Sequence, residues 1–333
     1  MNPLVSVVIA TYNQAWCIED TVQSVLDQTY RNVEIIVVDD ASTDDTPARI
    51  ASFGDRVRYI RHRHNQDRKL RGAAATRNTG IMAARGELIA FLDGDDLWQP
   101  EKLATQVDAA KCTPHAGLIA VDGIAFDHED ARVLTNSLFN GFPAALPEGA
   151  TFCGRVYKDA LETCIIATPS QIVVPSRVFN QIGLFDLVEC SDYDFLIRLA
   201  SHYEVVLLKK RLVRYRYHPS SASGPLAQQH FRFAPANIVI WKNHLQTVPR
   251  EYQHVIHDRI VREQYWIAEL AFARGRQGDR MWASDYLWRL LLRSLWSEST
   301  WTIAFLLARL WSPRWISRTV NFASLTFRQA MKS

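Results

Sequence analysis

The chain has 333 residues, of which 48% are hydrophobic and 22% are charged, and its formal net charge is +3. This length favours two domains, and the composition excludes a disordered or collagen-like chain. The five cysteines are widely spaced and form no Cys-x-x-Cys pair, so we expect a reduced compartment and no zinc or redox motif.

The N-terminal segment has no basic stretch and only a short apolar run, so we expect neither a signal peptide nor a membrane span there. No segment of the chain reaches the roughly 18 charge-free apolar residues that a transmembrane helix needs. The sequence therefore predicts a cytoplasmic protein.

The first hundred residues alternate β-branched runs with helical periodicity, which is typical of a β-α-β series. We predict strands at 5–10, 33–38, 57–60 and 88–92, and helices at 18–27, 44–53, 73–84 and 100–110. This order indicates an α/β fold with a Rossmann-like, mostly parallel central sheet flanked by helices, which binds ligands at the carboxyl ends of its strands.

Polar residues follow three of these strand ends: Thr11-Tyr12-Asn13, Asp39-Asp40-Ala41-Ser42 and Asp93-Gly94-Asp95-Asp96. Carboxylates that converge on one edge of a sheet repel one another unless a cation or hydrogen-bond donors compensate. Mg²⁺ or Mn²⁺ fits such oxygen ligands and is also bound by substrate phosphates. The alternative is that these residues cap the following helices, an interpretation that we favour for Asp44.

Both common phosphate-binding loops, G-x-G-x-x-G after the first strand and G-x-x-x-x-G-K-[ST], are absent from the sequence, which argues against dinucleotide oxidoreductases and P-loop NTPases. A bound diphosphate would then be neutralised by a metal and by basic side chains. The segment 56–71 is rich in arginine and lysine and is either such a basic wall or a solvated loop.

Four segments together resemble the inverting family 2 glycosyltransferases, which have a GT-A fold. They are Ala10-Thr11-Tyr12-Asn13, Asp39-Asp40-Ala41-Ser42, Thr76-Arg77-Asn78-Thr79-Gly80 and Phe91-Leu92-Asp93-Gly94-Asp95-Asp96. Their order and spacing agree with the family, and the resemblance covers roughly residues 4–220.

The resemblance implies roles for individual residues. The nucleotide-sugar site would contain Thr11, Tyr12, Asn13, Asp40, Arg77, Asp93 and Gly94, and the divalent metal, Mn²⁺ or Mg²⁺, would be held by Asp93, Asp95 and His218. The general base would be Asp192, although Ser191 stands where the family usually has glutamate. For His218 the alternative is a hydrogen-bonded histidine in a loop, and for Asp194 we expect a structural role.

We also predict the roles of three further segments. Residues 66–71 are inserted relative to the family and form either a lid over the diphosphate or a plain surface insertion. Residues 168–170 would belong to the wall on the acceptor side. The segment 139–154, rich in Pro, Gly and Ala, is expected to be a flexible acceptor loop.

The composition changes near residue 225, and we predict a catalytic domain at 1–224 and a helical extension at 225–333. The first comprises a nucleotide-binding half at 1–110 and an acceptor half at 111–224. The extension would contain a helical hairpin around 274–279. Its tail, 300–333, combines tryptophans with five basic residues and no acid. We expect either an amphipathic helix on the inner face of the membrane or a helix packed on protein, and no nucleic-acid site.

Together these features predict an inverting, metal-dependent glycosyltransferase. It would move a sugar from a nucleotide sugar, with UDP as the expected nucleotide, to a hydroxyl of a saccharide or lipid-linked glycan in the synthesis of cell-surface polysaccharide or glycolipid. Two alternatives stay open: a sugar nucleotidyltransferase, and a non-catalytic, membrane-associated protein that binds nucleotides.

Overall fold

The structure is a computed structural model that describes residues 2–63, 72–219, 221 and 226–273. The chain divides into two compact units, residues 1–224 and residues 225–333. The described part of the first unit holds a ten-stranded sheet flanked by helices.

The strands are β1 (Val5–Thr11), β2 (Val33–Asp39), β3 (Arg58–Arg61), β4 (Leu88–Asp93), β5 (Leu97–Trp98), β6 (Leu118–Asp127), β7 (Val133–Thr135), β8 (Thr151–Gly154), β9 (Ile172–Pro175) and β10 (Val205–Tyr217). The helices are α1 (Ile18–Leu26), α2 (Thr46–Ala51), α3 (Ala73–Ala83), α4 (Lys102–Cys112), α5 (Tyr157–Glu162), α6 (Ser176–Ile182) and α7 (Ser191–His202). The four predicted strands and four predicted helices of the first hundred residues are therefore confirmed, with small differences at their ends.

The strand order is β3-β2-β1-β4-β9-β6-β10-β5. The first four strands are parallel, and β6 is parallel to β10. Strand β9 is antiparallel to both β4 and β6, so β6 and β10 run in the same direction as β1, β2 and β4. All five strands therefore place their carboxyl ends at one edge of the sheet, where the polar turns of the sequence meet.

The central strands are buried on both faces, as expected for a parallel sheet covered by helices. Val7, Val8 and Ile9 of β1 are fully buried, and α3 crosses β1 at Gly80. A Cβ atom at Gly80 would overlap Cγ1 of Val8, so this glycine sets the close approach of helix and strand.

Helix α2 begins at Thr46, two residues later than predicted. The carboxylate of Asp44 accepts hydrogen bonds from the backbone N–H groups of Ala15 and Thr46, both at 3.0 Å. Asp44 thus bonds to the first residue of the helix, as a capping role predicts, although the residue at the N-cap position is Asp45.

The segment 139–154 was expected to be a loop, but it contains a 3-10 turn at Phe142–Ala145 and ends in β8, which pairs with β10. A buried ion pair anchors it. Nζ of Lys209 lies 2.8 Å from Oδ2 of Asp122 and donates a hydrogen bond to the carbonyl of Ala144 at 3.1 Å. The segment is thus tied to β6 and β10 rather than being an irregular loop.

The described part of the second unit consists of α8 (Leu226–His244) and α9 (Arg250–Ala273). Trp241 of α8 is fully buried. None of the helices that the structure describes is long and apolar enough to cross a membrane. The predicted turn at 274–279, the tail at 300–333 and the insertion at 66–71 lie outside the described residues.

Candidate functional site

The acidic turn after β4 is fixed against the end of β1. The backbone N–H of Gly94 donates to the carbonyl of Ala10 at 2.9 Å. A Cβ atom at Gly94 would overlap Oε1 of Gln14 and lie 3.0 Å from the carbonyl oxygen of Ala10. Only glycine therefore allows the turn to pack here, which holds Asp93 and Asp95 at defined positions.

Asp93 is held by three residues from distant parts of the sequence. Its Oδ1 lies 2.6 Å from Nη2 of Arg77, and its Oδ2 accepts a hydrogen bond from the hydroxyl of Thr168 at 3.1 Å. Its backbone N–H donates to Oγ of Ser170 at 3.0 Å. Arg77 and Asp93, predicted to bind the nucleotide sugar, are thus in direct contact, and the segment 168–170 forms the adjoining wall.

Asp95 meets His218, which follows β10. The two side chains are joined by Oδ2 of Asp95 and Nε2 of His218 at 3.0 Å. Both are largely buried, with side-chain exposures of 19% and 8%. The structure therefore brings together two residues that were both predicted to bind the metal although 123 positions separate them.

Asp96 has a different part in this turn because it is completely buried. It accepts hydrogen bonds from Oγ of Ser170 at 2.6 Å and from the backbone N–H of Arg216 at 3.0 Å. Burial, with repulsion from Asp95 and Asp93, holds the pKa of Asp96 well above its usual range. Its carboxyl group ties the acidic turn to β10.

Asp192, the predicted base, is the second residue of α7 and is half-buried. It borders a small, mainly apolar pocket lined by Leu118, Ile166, Thr168, Pro169, Ile172, Phe195 and Leu196. Burial raises the pKa of Asp192, while the positive charge of Arg77 opposes this rise. A carboxylate with a raised pKa is suited to accepting a proton near neutral pH.

Two further residues near the start of α7, Cys190 and Asp194, have structural features of their own. Cys190 precedes the helix with φ of +58°, a conformation that side chains other than glycine rarely adopt. Asp194 is buried and lies 2.7 Å from Nε of Arg198, which also donates to the carbonyls of Ile182 and Leu184. The predicted structural role of Asp194 agrees with these contacts.

At the opposite end of the edge, Asp40 is already hydrogen-bonded within the protein. Its Oδ1 lies 3.1 Å from Nδ1 of His62, and its Oδ2 accepts the backbone N–H of Gly72 at 2.8 Å. The other ring nitrogen of His62 contacts Oγ1 of Thr79 at 2.9 Å. Each carboxylate oxygen has a second lone pair, so Asp40 keeps the capacity to accept a hydrogen bond from a ligand.

The residues after β1 divide into supporting and exposed ones. The hydroxyl of Thr11 is buried and donates to Oε1 of Gln14 at 2.8 Å. Asn13 has φ of +50° and accepts the backbone N–H of Thr43 at 2.7 Å. The side chain of Tyr12 is 53% exposed. Tyr12 therefore offers a ring to a ligand, whereas the side chains of Thr11 and Asn13 shape the turn.

Sequence reasoning missed four side chains at this edge, namely Trp16, His62, His128 and Arg216. None belongs to a spaced motif. The available signal is positional: His128 directly follows β6, and Arg216 is the second-last residue of β10, two positions before His218. These positions point to the site only once the order of the strands in the sheet is known.

Among the described residues, no three His, Cys, Asp or Glu side chains form a group that could hold a metal ion by themselves. The Asp95–His218 pair still fits the predicted cation. Asp95 offers a carboxylate oxygen and His218 a ring nitrogen, and these two groups would hold Mn²⁺ or Mg²⁺. Substrate phosphates would complete the set of ligands.

Comparison with known proteins identifies the family and the fold of the chain. The family model described as "Glycosyl transferase family 2" matches residues 6–150. WfaP of Escherichia coli, named UDP-Glc:alpha-D-GlcNAc-diphosphoundecaprenol beta-1,3-glucosyltransferase, is 45% identical over 224 residues, which is 66% of this chain and 80% of WfaP. Other relatives are longer: the chain spans 34% of an uncharacterized glycosyltransferase of Rickettsia bellii.

Solved structures share the fold. S. aureus TarS in complex with UDP has a TM-score of 0.59 at 19% identity, with 85% of this chain and 80% of that chain covered. The mannosyltransferase PcManGT from Pyrobaculum calidifontis, in complex with GDP-Man and Mn²⁺, has a TM-score of 0.57 at 20% identity, with 93% and 88% covered. The predicted GT-A fold is confirmed, and the chain belongs to glycosyl transferase family 2.

Proposed function

We propose that this glycosyltransferase moves a sugar from a UDP-sugar to a hydroxyl of a lipid-linked saccharide, with inversion at the anomeric carbon, in the synthesis of cell-surface glycans. The observation that carries the proposal is the meeting of Asp93, Asp95, His218 and Arg77 at one sheet edge, with Asp192 near Arg77. The donor and acceptor in the name of WfaP support the same substrate classes.

In the proposed reaction Asp192 is the general base. Its carboxylate takes the proton of the acceptor hydroxyl while that oxygen bonds to the anomeric carbon of the donor sugar. The bond from this carbon to the diphosphate breaks, and UDP leaves on the opposite face. The attack from one side and departure from the other invert the anomeric configuration.

The leaving diphosphate develops negative charge that the site must offset. A Mn²⁺ or Mg²⁺ ion held by Asp95 and His218, with Asp93 beside them, would supply Lewis-acid stabilisation of that charge. The PcManGT complex with Mn²⁺ is consistent with this. Arg77 compensates the Asp93 carboxylate and limits the repulsion between Asp93 and Asp192.

The nucleotide would lie between Tyr12 and Asp40 at the ends of β1 and β2. The exposed ring of Tyr12 offers a stacking face for the base, and Asp40 offers a hydrogen-bond acceptor. The turn at Gly94 provides close backbone approach next to Asp93. In this proposal the side chains of Thr11 and Asn13 do not contact the nucleotide but hold the turn after β1 in shape.

Of the two alternatives, a sugar nucleotidyltransferase would need a glycine-rich, lysine-containing loop after the first strand, where this chain has Thr11-Tyr12-Asn13-Gln14. A non-catalytic role is disfavoured because the relatives are named as transferases and Asp93, Asp95 and Asp192 are all present. Transfer is therefore the function that the site supports best.

Calorimetric titration of UDP, GDP and dTDP, each with and without Mn²⁺, tests the donor site. We expect UDP to bind most tightly, to need Mn²⁺ for full affinity, and to lose that dependence in Asp95→Asn. Equal affinity with and without Mn²⁺ would contradict the metal assignment. Failure of all three nucleotides to bind would overturn the proposed donor class.

Asp192→Asn tests the base. We expect transfer to fall by about 10²- to 10⁴-fold, with UDP affinity retained. Asp186→Asn is the control, since Asp186 is 66% exposed in the neighbouring segment and should leave transfer unchanged. Full activity of Asp192→Asn would remove Asp192 from the mechanism.

A further inference from the structure

A group of aromatic and basic side chains lies beside the Asp95–His218 pair and has no part in the reaction described above. We call Trp16, His128 and Arg216 the Trp16 cluster. The Trp16 ring is 4.3 Å from the His128 ring and 4.9 Å from the His218 ring, between centroids. Trp16 is 42% exposed and His128 is also exposed, so the cluster presents a surface to solvent.

Arg216 gives this surface an unused hydrogen-bond donor. Its side chain is only 8% exposed, and its Nε donates to the backbone carbonyl of Asp95 at 2.9 Å. Its Nη2 is buried without a hydrogen-bond partner among the described residues, and Oδ2 of Asp20, at 3.7 Å, is too far away. A buried N–H group that lacks an acceptor is costly, so the geometry favours an oxygen-rich ligand here.

His128 is oriented by the same arginine. Nη1 of Arg216 lies 3.5 Å from Nδ1 of His128. Because arginine can only donate, Nδ1 of His128 is the acceptor in this contact, and Nε2 is the ring nitrogen that faces a ligand as a donor. The cluster then combines two N–H donors with the face of an indole ring, and these are the groups that recognise a phosphate and a sugar ring respectively.

The position of the cluster favours the acceptor over the donor. The proposed donor site begins at Asp40, directly after β2, whereas His128 follows β6 and Arg216 lies in β10, and both of these strands are on the other side of β4 in the strand order. We infer that the Trp16 cluster binds the acceptor as a pyranose that carries a phosphate group. The pyranose stacks on Trp16, and Arg216 and His128 donate to the phosphate oxygens. This inference rests on the proposed transfer to a lipid-linked saccharide.

The test uses the full chain and three probes with the same short alkyl chain: N-acetylglucosamine diphosphate, N-acetylglucosamine without phosphate, and diphosphate without sugar. Binding of each probe is measured by calorimetry on protein saturated with UDP and Mn²⁺, and transfer kinetics are measured in parallel. We expect Trp16→Ala to weaken both sugar probes about tenfold and Trp16→Phe to restore most of the affinity. The exposed Met82 on α3 provides the control Met82→Ala.

His128→Ala separates the two halves of the ligand. We expect it to weaken both diphosphate probes and to leave the phosphate-free sugar unchanged. If the Trp16 and His128 variants instead weaken UDP binding or raise the donor KM as much as they weaken the acceptor, the cluster belongs to the donor diphosphate and the inference fails. It also fails if neither substrate is affected.

These outcomes are distinct from failure of the proposed function. Absence of transfer by the wild-type protein to any lipid-linked probe would count against the proposed function, while calorimetry still reports whether the probes bind through Trp16 and His128.

Discussion

Arg77 serves two carboxylates with different purposes. It contacts Asp93 at 2.6 Å, and its charge also lowers the pKa of Asp192, which burial raises. Asp192 can accept a proton only when it is ionised, so activity should fall as the pH drops through the pKa of this group. In the proposed mechanism, Arg77 therefore helps to set the acid limit of activity through its effect on the pKa of Asp192.

Replacing Arg77 by methionine should move the acid limb of kcat/KM to higher pH. Loss of the opposing charge leaves burial and the Asp93 charge to raise the pKa of Asp192 further, and a nearby opposite charge is worth about 1–3 pH units. The pH profile between about 5 and 9 measures the shift. Arg77→Lys should shift the limb less. A limb that stays in place while the rate falls would show that Arg77 acts only on Asp93 or the nucleotide.

Some residues of the candidate site could be predicted from the sequence, and others could not. The acidic turn at 93–96 could be predicted because carboxylates that follow a strand are conspicuous in the sequence. The pairing of Asp95 with His218 came from the family resemblance, since one histidine carries no ligand spacing. Trp16, His128 and Arg216 could not be predicted, because each becomes part of the site only through the order of strands that are far apart in sequence.

Elements pack tightly where α3 crosses β1. Gly80 leaves no room for a Cβ atom because Cγ1 of Val8 occupies that position. Helix α3 also carries Arg77, so this crossing places the guanidinium relative to Asp93. A change in the packing should therefore affect both stability and the site.

Gly80→Ala should destabilise the protein by about 1–3 kcal/mol, even though alanine favours a helix by about 1 kcal/mol over glycine. Adding Val8→Ala removes the methyl group that the new Cβ would meet, so the double variant should lose less stability than the sum of the single changes. Denaturant unfolding of the four proteins measures this coupling. If the losses of unfolding free energy were additive, the new Cβ atom at position 80 would not meet Val8, and α3 and β1 would have moved apart to accommodate it.

Helix α4 buries the amino group of Lys102. Nζ of Lys102 is inaccessible, donates to Oε1 of Gln106 at 2.7 Å and lies 3.7 Å from the centre of the Trp98 ring. Burial lowers the pKa of Lys102 well below its usual value. The unfolded chain consequently binds a proton at Lys102 at pH values where the folded protein does not.

This difference predicts a pH dependence of stability. As the pH falls from about 10.5, the pKa of an exposed lysine, towards the lower folded-state pKa, protonation of the unfolded state should reduce the free energy of unfolding. Lys102→Met cannot take up this proton and should lose less stability over the same interval. Urea unfolding of both proteins at several alkaline pH values measures the difference. Parallel curves would show that Lys102 stays charged in the fold.

At the level of elements, the first four strands were predictable because β-branched runs bounded by polar turns mark buried parallel strands. The second half of the sheet was not. Strand β9 enters antiparallel between β4 and β6, and this depends on pairing between distant residues rather than on local pattern. The same long-range pairing turned the expected loop at 139–154 into a segment that ends in a strand.

For the whole molecule, the uneven distribution of charge predicts membrane association. The tail at 300–333 contains five basic residues, several tryptophans and no acid, which favours attraction to anionic lipid. A substrate that carries a lipid would require the enzyme to work at such a surface. We therefore propose that the tail holds the enzyme at the inner face of the membrane.

Removal of residues 300–333 should abolish sedimentation with phosphatidylglycerol vesicles, and raising the salt concentration should weaken binding of the full chain. Neutral phosphatidylcholine vesicles are the lipid control. The variant Arg309→Gln/Arg314→Gln/Arg318→Gln keeps the tail and tests its charge alone. Unchanged sedimentation of the shortened chain would instead favour a tail that packs on protein.

The hydrogen bond from the backbone of Arg216 to Asp96 spans 120 residues, and the Asp95–His218 contact spans 123. Contacts of such long range form late in folding. During synthesis, the ends of β1, β2 and β4 leave the ribosome well before β10 does. We therefore expect the nascent chain to fold first the half that is proposed to bind UDP and to complete the proposed active site only when β10 joins the sheet, so that nucleotide capture precedes activity in the life of each molecule.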